Sequence, residues 1–475
     1  MLPLTYKKPE DVLKAITKQG IFFVDLKFCD PFSQWQHITL PAHEFPLEIF
    51  RTGMPFDGSS IRGWKAINES DMLLIPDAAS AFIDTFGSEP MMSLVCDVID
   101  PITKKPYSRD SRYIAKKSVE ALIKSGIGDT AAMGPEAEFF IFDDMRFSNG
   151  PNHSFYEVDS VEGWWNTGEE EVPNLGGKIP YKRGYFPVAP LDKTANLRAH
   201  MMRALEEAGI VVERGHHEVA TAGQGEINFR FSDLLRCADN LMIFRYILKN
   251  VAARYGKVLT FLPKPLAGDN GSGMHTHFSL WKKKKNLFAG TGPAGLSDMG
   301  LFAIGGIISH AHALAAFTNP TMNSYHRLVP GFEAPVRLAY SARNRSAAIR
   351  IPVGSSSPQA RRIEVRFPDG SANPYLAFAA LLMAALDGIK RKLHPGKPLD
   401  KDIYALSPEE LARVPQMPGS LEQSLHALEK DHAFLIQDNV FDKDFIAIWT
   451  EAKQEEINAI RLVPHPKEFE LYYDV

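Results

Sequence analysis

The sequence has few cysteines and lacks the usual phosphate-binding motifs. Its cysteines, Cys29, Cys96 and Cys237, form no CxxC pair and no even set, so a disulfide framework is not expected. This usage is typical of a reducing compartment, and we expect a cytoplasmic protein. No GxxxxGK[ST] loop and no kinase HRD or DFG set is present, so a nucleotide, if bound, requires another scaffold.

Strong net charge and long apolar runs are also absent. Lys and Arg number 53 and Asp and Glu 57, a net charge of −4, which does not favour a nucleic-acid partner. The run 282–285 of consecutive lysines is interpreted as a solvated hairpin turn. The apolar stretch 375–386 is too short to span a membrane, and polar residues interrupt the stretch 299–317. We expect both to be buried helices and predict no signal peptide and no membrane partner.

The length of 475 residues and the mixed pattern indicate an α+β protein of two domains. Residues 1–105 are predicted to form a small domain and residues 106–475 a large one. Strands of the large domain are not regularly separated by helices, so a Rossmann or TIM arrangement is not expected. The stretch 145–190 is expected to be irregular, the Pro-rich segment 394–419 to be a loop, and the end of the chain, 465–473, to be extended and docked.

Four short stretches alternate polar and apolar residues in the way that a half-buried strand does. Glu136 and Glu138 stand two positions apart, which on a strand places both on one face. Each of the other stretches likewise has one polar face made largely of Glu, His and Arg. We therefore expect a sheet with one side on a core and the other lining a cavity. The four stretches are Gly134–Phe140, Glu226–Phe231, Met274–Leu280 and Arg362–Phe367.

Any one of these strands could be an ordinary amphipathic strand whose polar face is exposed to solvent. Taken together they favour a site, because solvent faces favour lysine and these strands contain none. Glu136 and Glu138 would repel each other at close range unless a cation lay between them. Carboxylates with one imidazole suit hard ions such as Mg²⁺ or Mn²⁺ better than Zn²⁺. The residues of this predicted cluster are Glu136, Glu138, Glu218, Glu226, His275 and Glu364.

Eight arginines crowd into the segment 327–366. They could be surface residues, but many of their neighbours are apolar, and the guanidinium fork binds two oxygens of a phosphate or carboxylate at once. Carboxylates for metal beside arginines for oxyanions would suit phosphoryl transfer.

Several long strings resemble type I glutamine synthetase, from the N-terminal region to the final residues of the chain. The resemblance implies a β-grasp N-terminal domain and a catalytic domain with a curved antiparallel sheet and helices. It also implies a dodecamer of two hexameric rings, with active sites between neighbouring subunits. The strings are Phe56–Ser60, Gly134–Phe140, Lys264–Pro265, Asn270–His275, Asn323–Gly331, Arg343–Ser346 and Glu470–Tyr473.

The implied reaction joins ammonia to the side-chain carboxylate of L-glutamate, with ATP as co-substrate and γ-glutamyl phosphate as the intermediate. The family would hold one divalent ion with Glu138, Glu218 and Glu226. A second Mg²⁺ or Mn²⁺ would lie on Glu136, His275 and Glu364.

The resemblance also assigns the substrate contacts. Asp57 would deprotonate ammonium from across the subunit boundary, although a tight Asp-Gly turn would explain this residue equally well. Glu333 would shield the acyl phosphate from water and accept a proton. Nucleotide contacts would come from Glu213, His277 and Ser279 and from the phosphate-binding arginines Arg345 and Arg350. Glutamate contacts would come from Asn270, Gly271, Arg327, Glu333 and Arg366.

Tyr404 resembles the tyrosine that an adenylyltransferase modifies in many bacterial members, although an ordinary surface tyrosine is the alternative. Two departures concern the nucleotide: Gln359 stands where the family has a lysine, and the stretch 354–357 is one residue longer than expected. A related γ-glutamyl ligase that uses a polyamine, an inactive structural homologue and a metallophosphatase remain as alternatives.

Overall fold

The computed structural model describes residues 6–64, 70–170, 173–342, 344, 346–354, 357–400, 407–412 and 414–475. Arg345, Tyr404 and the centre of the extended stretch 354–357 lie outside the described residues. The predictions for these positions therefore stay predictions.

A six-stranded sheet forms the first unit, with the order β2-β1-β6-β4-β3 and β5 added beside β6. β1 and β6 run parallel, and the other pairs are antiparallel. Helix α1 packs its buried Val12 and Ile16 into the core of this unit. The elements are α1 (Pro9–Gln19), β1 (Phe23–Cys29), β2 (Trp35–Pro41), α2 (Ile49–Thr52), β3 (Met54–Asp57), β4 (Asp71–Pro76), β5 (Phe82–Asp84) and β6 (Met91–Ile99).

A ten-stranded sheet forms the second unit, with the main order β10-β11-β7-β14-β18-β17-β16. Its pairs are antiparallel, as the resemblance implies, except for β16 and β17, which run parallel. A separate hairpin joins β8 to β9. The strands are β7 (Thr130–Phe142), β8 (Asp144–Gly150), β9 (His153–Asp159), β10 (Val212–His217), β11 (Gln224–Phe229), β12 (Ser232–Asp233), β13 (Val258–Thr260), β14 (Met274–Lys282), β15 (Lys285–Asn286), β16 (Arg337–Ser341), β17 (Ala347–Arg350) and β18 (Ile363–Val365).

Helices cover one face of the large sheet and make its core. The central helix α9 is buried over the whole predicted apolar stretch. A Cβ on Gly306 would lie 2.1 Å from the Ala384 carbonyl oxygen, so glycine is what allows α6 and α9 to pack this closely. The helices are α3 (Ser111–Lys124), α4 (Ala195–Glu207), α5 (Leu234–Arg254), α6 (Asp298–Ser309), α7 (Ala311–Thr318), α8 (Met322–Arg327), α9 (Pro374–Arg391), α10 (Pro408–Ala412), α11 (Leu421–Lys430), α12 (Ala433–Ile436), α13 (Lys443–Arg461) and α14 (Pro466–Tyr472).

The α+β class and the two apolar runs as buried helices are confirmed. Across the described ranges, no single helix is long and apolar enough to cross a membrane. The pair α6–α7, bent by 77°, reaches that length and composition only jointly.

Two local predictions were wrong. The stretch 145–190 is not irregular throughout, because β8 and β9 pair along their whole length. The end of the chain is helical rather than extended. Pro466 opens α14, the ring of His465 accepts from the Lys467 N–H, and Glu468 accepts from the His465 N–H, which together make a helix start.

Candidate active site

Three neighbouring strands bring the first predicted group of ligands together. Glu136 on β7 lies opposite His275 on β14, and β14 in turn pairs with β18, which carries Glu364. His275 Nδ1 is 3.6 Å from a Glu136 oxygen and 3.9 Å from a Glu364 oxygen. The three side chains can present ligand atoms within 4.8 Å of one another, so the structure brings these three predicted residues together.

The second group lies at the end of β10, where Glu218 follows the strand, and on the neighbouring β11, and it includes a residue that we did not predict. His216 places its two ring nitrogens 3.5 Å from Glu218 and 3.5 Å from Glu226, and these three form a second set within 4.8 Å. His216 stands two positions before Glu218, the same spacing that singled out Glu136 and Glu138, so the sequence did contain a signal for it.

Glu138 lies opposite Glu226 in the register of β7 and β11. One of its oxygens accepts from the Gly273 N–H at 2.8 Å and from the Gln224 amide at 3.3 Å. Glu138 therefore lies between the two groups and is held by these hydrogen bonds. It is not a member of the set formed by His216, Glu218 and Glu226.

The two groups differ in their electrostatics. Burial opposes ionisation of Glu136, but His275 and His277 hold its pKa far below the ordinary value. Burial, with repulsion from Glu138 and Glu226, raises the pKa of Glu218 to about 9. The pKa of Glu138 is raised too, by burial and by Glu226, although His275 opposes the rise. Clustered carboxylates that raise one another's pKa form a donor set that favours a cation.

Arginines supply positive charge around the first group, as the sequence predicted. The Arg350 Nε donates to Glu364 at 2.6 Å, and the Arg366 Nε lies 3.2 Å from the same carboxylate. Arg214 reaches Glu136 at 3.3 Å. Burial raises the pKa of Glu364, but nearby histidines and arginines bring it below the ordinary value.

A cavity of about 40 Å³ lies against the second group. Arg327 is fixed at its wall because its guanidinium donates to the carbonyls of Arg366 and Phe367, at 3.1 and 2.9 Å. A Cβ on Gly271 would come within 2.4 Å of the Pro263 carbonyl oxygen, so only glycine fits there. All five predicted glutamate contacts line this cavity: Asn270, Gly271, Arg327, Glu333 and Arg366.

A second cavity, of about 240 Å³, lies on the other side of Glu136. The predicted nucleotide contacts Glu213, His277 and Ser279 line it together. Gln359, the departure from the family pattern, lines it too. Arg350, also predicted to contact the nucleotide, is not among the residues that line this cavity. It donates a hydrogen bond to the Glu364 carboxylate instead. Arg361 and Arg362, from the arginine-rich segment singled out in the sequence, also line this cavity, and three residues that we did not predict complete its wall: Phe231, Trp281 and Arg214.

Two predicted catalytic residues lie in different places. Glu333 has a left-handed φ of 57°, lines the small cavity, and its charge helps to raise the pKa of Glu218. Asp57 is exposed at the end of β3 and accepts from the Ser59 N–H and hydroxyl at 2.8 and 2.7 Å. These Ser59 bonds lower its pKa. None of the contacts described for Asp57 reaches the acidic groups.

The donor chemistry fits divalent ions. Each three-residue set offers two carboxylates and one imidazole, which matches the oxygen-rich preference of Mg²⁺ and Mn²⁺. Glu138 adds a further carboxylate oriented by a backbone N–H, the kind of supporting bond that metal ligands receive.

The fold and the site define a class of two-sheet protein in which the larger sheet carries paired carboxylate–imidazole sets between two cavities. The model of the glutamine synthetase β-grasp domain matches residues 20–101, and the model of the glutamine synthetase catalytic domain matches residues 108–472. The chain belongs to the glutamine synthetase family, and the β-grasp prediction for its first sheet is confirmed.

Relatives match over nearly the whole chain. Glutamine synthetase of Aquifex aeolicus is 60% identical over 467 residues, which cover 98% of this chain and 99% of that protein. The cryo-electron-microscopy structure of Plasmodium falciparum glutamine synthetase is similar with a TM-score of 0.91 and 32% identity, covering 100% of both chains. A solved complex of GmaS with ADP gives a TM-score of 0.81 and 28% identity, covering 98% and 99%.

Proposed function

We propose that this protein is a glutamate–ammonia ligase, which converts L-glutamate, ammonia and ATP to L-glutamine, ADP and phosphate. The observation that carries the proposal is the position of Glu136, Glu138 and Glu218 between a large and a small cavity. The chain belongs to this family and is 60% identical to a glutamine synthetase. The γ-phosphate of ATP bound in the large cavity would therefore meet the side-chain carboxylate of L-glutamate bound in the small cavity.

In the large cavity, Glu213, His277 and Ser279 would contact ATP. Arg350, already beside Glu364, and Arg345 would face the phosphates, with Arg345 also stabilising the charge of the transferring group. When bound, two Mg²⁺ or Mn²⁺ ions would neutralise charge on the phosphates. The ligands of one would be Glu136, His275 and Glu364, and of the other Glu138, Glu218 and Glu226, to which the structure leads us to add His216.

In the small cavity, L-glutamate would be held at its charged ends. Arg327 and Arg366 are the cations at this wall, and Asn270 and Gly271 would contact the amino acid beside them. The substrate's side-chain oxygen would attack the γ-phosphorus and release ADP, giving γ-glutamyl phosphate. Ammonia would then attack the acyl carbon and expel phosphate, while Glu333 excludes water and accepts the proton lost from the nitrogen.

Asp57 would complete the site from a neighbouring subunit. Its exposed position on β3, without a described contact to the acidic groups of its own chain, supports a site shared between subunits, and we propose that the subunits form a homo-dodecamer of two hexameric rings. In this proposal residues 1–105 form the domain that closes the neighbour's site, and residues 106–475 form the catalytic domain. We further propose a cytoplasmic location and modification of Tyr404 by an adenylyltransferase.

A direct assay tests the reaction. Glutamine should form only when glutamate, ammonium, ATP and Mg²⁺ or Mn²⁺ are all present. Faster turnover with a polyamine than with ammonium would support a γ-glutamyl polyamine ligase instead. Phosphate release that does not depend on glutamate would contradict a ligase altogether.

Mixed oligomers test the shared site. Asp57→Ala and Glu364→Ala should each inactivate the protein alone, because each removes a group from every site. When the two variants are co-expressed, some sites receive both native residues and glutamine formation should return. No recovery in oligomers that contain both chains would contradict an intersubunit site.

A further inference from the structure

Two lysines hold the ring of Phe332, the residue before Glu333. The Lys264 ammonium lies 3.8 Å from the ring centroid and the Lys182 ammonium 4.1 Å from it. Both distances are well inside the range in which a cation is attracted to an aromatic face. Phe332 belongs to neither the metal-ligand groups nor the predicted substrate contacts, and its ring is half-buried at the edge of the small cavity.

Both lysines are placed by one buried residue. The fully buried Asp269 accepts from the Lys182 N–H at 3.0 Å and from the Thr221 N–H at 2.8 Å. Its own carbonyl oxygen accepts from the Lys264 ammonium. Asp269 therefore fixes the backbone of one lysine and the side chain of the other, so that the two ammonium groups meet the same ring.

The segment that they hold would not keep its shape by local preference. Gly331 has φ 93° and Glu333 has φ 57°, and a non-glycine residue is uncommon in this left-handed region. The Lys182 ammonium also donates to the Gly331 carbonyl at 3.3 Å. Contacts from outside the segment thus keep Glu333 at the wall of the small cavity, which Glu218 also lines.

The Lys264 ammonium is partly buried, away from bulk water. Burial, with repulsion from Lys182 and Arg327, lowers its pKa to about 8, although Asp269 opposes the change. Its ammonium is charged at neutral pH, and loss of water around a cation strengthens its attraction to an aromatic ring.

We propose that Lys182 and Lys264 are positioning residues that hold the Glu333 segment closed through the ring of Phe332. The proposal rests on the proposed function, since closing this segment is what would keep water from γ-glutamyl phosphate. A loosened segment would let water take the place of ammonia, so phosphate would be released without glutamine.

Phe332→Leu and Phe332→Trp distinguish the effect of the aromatic face from the effect of apolar side-chain volume. Leucine is apolar but has no π face, and tryptophan has the π face that attracts a cation most strongly. Hydrogen exchange of the backbone amides at 331–334 is measured on the full-length protein, together with the ratio of phosphate released to glutamine formed. F332L should speed exchange about fivefold and raise the ratio, whereas F332W should leave both near the native values. The exposed Phe22→Leu is the matched control and should change neither.

A double-mutant cycle tests the lysines. Lys182→Met and Lys264→Met should each speed exchange of the segment in the native background and have much less effect in the F332L background. Equal effects in both backgrounds would mean that the lysines act through their hydrogen bonds, and would overturn the proposal. Native exchange in F332L, or equal loosening in F332W and F332L, would overturn it as well.

Hydrogen exchange needs no turnover, so the two proposals can fail separately. If the native protein makes no glutamine, the proposed function fails. If it makes glutamine and F332L leaves both exchange and the phosphate ratio unchanged, the positioning role fails alone.

Discussion

Buried charge is treated in opposite ways in the two sheets. In the small sheet, the buried Lys27 ammonium forms ion pairs with the buried carboxylates of Asp25 and Asp84. Burial opposes ionisation of Asp25, but Lys27, Thr39 and His37 hold its pKa below the ordinary value. These charges are neutralised inside the chain, and their role is structural.

In the large sheet, the acidic side chains around Glu218 face one another instead. Burial and two neighbouring carboxylates raise the pKa of Glu218 to about 9. Such an arrangement costs stability, and natural proteins accept that cost mainly where a site needs it. The acidic group around Glu218 therefore differs from the small sheet in that its buried carboxylates repel one another, whereas the buried charges of the small sheet attract one another.

The largest expected effect is on activity, from Glu364→Ala. This change removes a carboxylate that lies within reach of His275 and Glu136, and kcat/KM for glutamine formation should fall about a thousandfold, as a loss of several kcal/mol implies. Glu10→Ala, on an exposed part of α1, should have no effect. Native turnover in E364A would remove this residue from the site.

The next effect is on stability, from Lys27→Met in the small sheet. Removing the ammonium leaves Asp25 and Asp84 buried without a counter-charge, and the free energy of unfolding should fall by about 3–5 kcal/mol. Urea unfolding measures it, with the exposed Lys14→Met as the control. If both variants are equally stable, the internal neutralisation of this cluster is refuted.

The opposite sign is expected in the large sheet, from Glu218→Gln. The amide keeps the shape and needs no proton, whereas a carboxyl group whose pKa is raised to about 9 by folding must take up, at pH 7, a proton that it lacks in the unfolded chain. The metal-free E218Q protein should therefore gain about 1–3 kcal/mol at pH 7. Thermal unfolding in the presence of a chelator measures the gain, with the exposed Glu89→Gln for comparison. A loss of stability would show that the acidic group is neutralised within the protein after all.

The smallest effect is expected on the pH dependence of stability, from Asp110 at the junction of the two units. Asp110 precedes α3 and accepts from the Val98 and Arg112 N–H groups at 3.2 and 3.0 Å. Burial, with repulsion from Asp97, raises its pKa to about 7. An acid whose pKa is raised by folding loses stability as pH rises from its unfolded value of about 4 to its folded value.

Asp110→Asn should therefore unfold with a weaker pH dependence than the native protein between pH 4 and 7. Between pH 4 and 7, the free energy of unfolding of the native protein should fall by about 1–3 kcal/mol more than that of the variant. Asparagine caps a helix as well as aspartate does, so the cap itself is kept. Identical slopes in the two proteins would contradict the assignment.

Much of the site could be predicted because strand alternation is a local signal. The two-residue spacing of Glu136 and Glu138 was visible in the sequence, and so was the polar face that carries His275. Family resemblance then joined residues that lie far apart in the chain, such as Glu218 and Glu364.

The remainder was missed for different reasons. The two-residue spacing before Glu218 was a signal for His216, but only the register in which β10 pairs with β11 places its ring between Glu218 and Glu226. Phe231 and Trp281 reach the large cavity only through the folding of distant segments. The terminal helix was missed because the end of the chain was interpreted as extended and the capping signal at His465 and Glu468 was overlooked.

Titration of Mn²⁺ into the full-length protein, followed by the electron paramagnetic resonance of free Mn²⁺, measures whether the two acidic groups bind divalent ions. We expect two sites per chain in the native protein, with one weakened in E364Q and the other in E218Q. No bound Mn²⁺, or two sites of native affinity in both variants, would contradict this expectation.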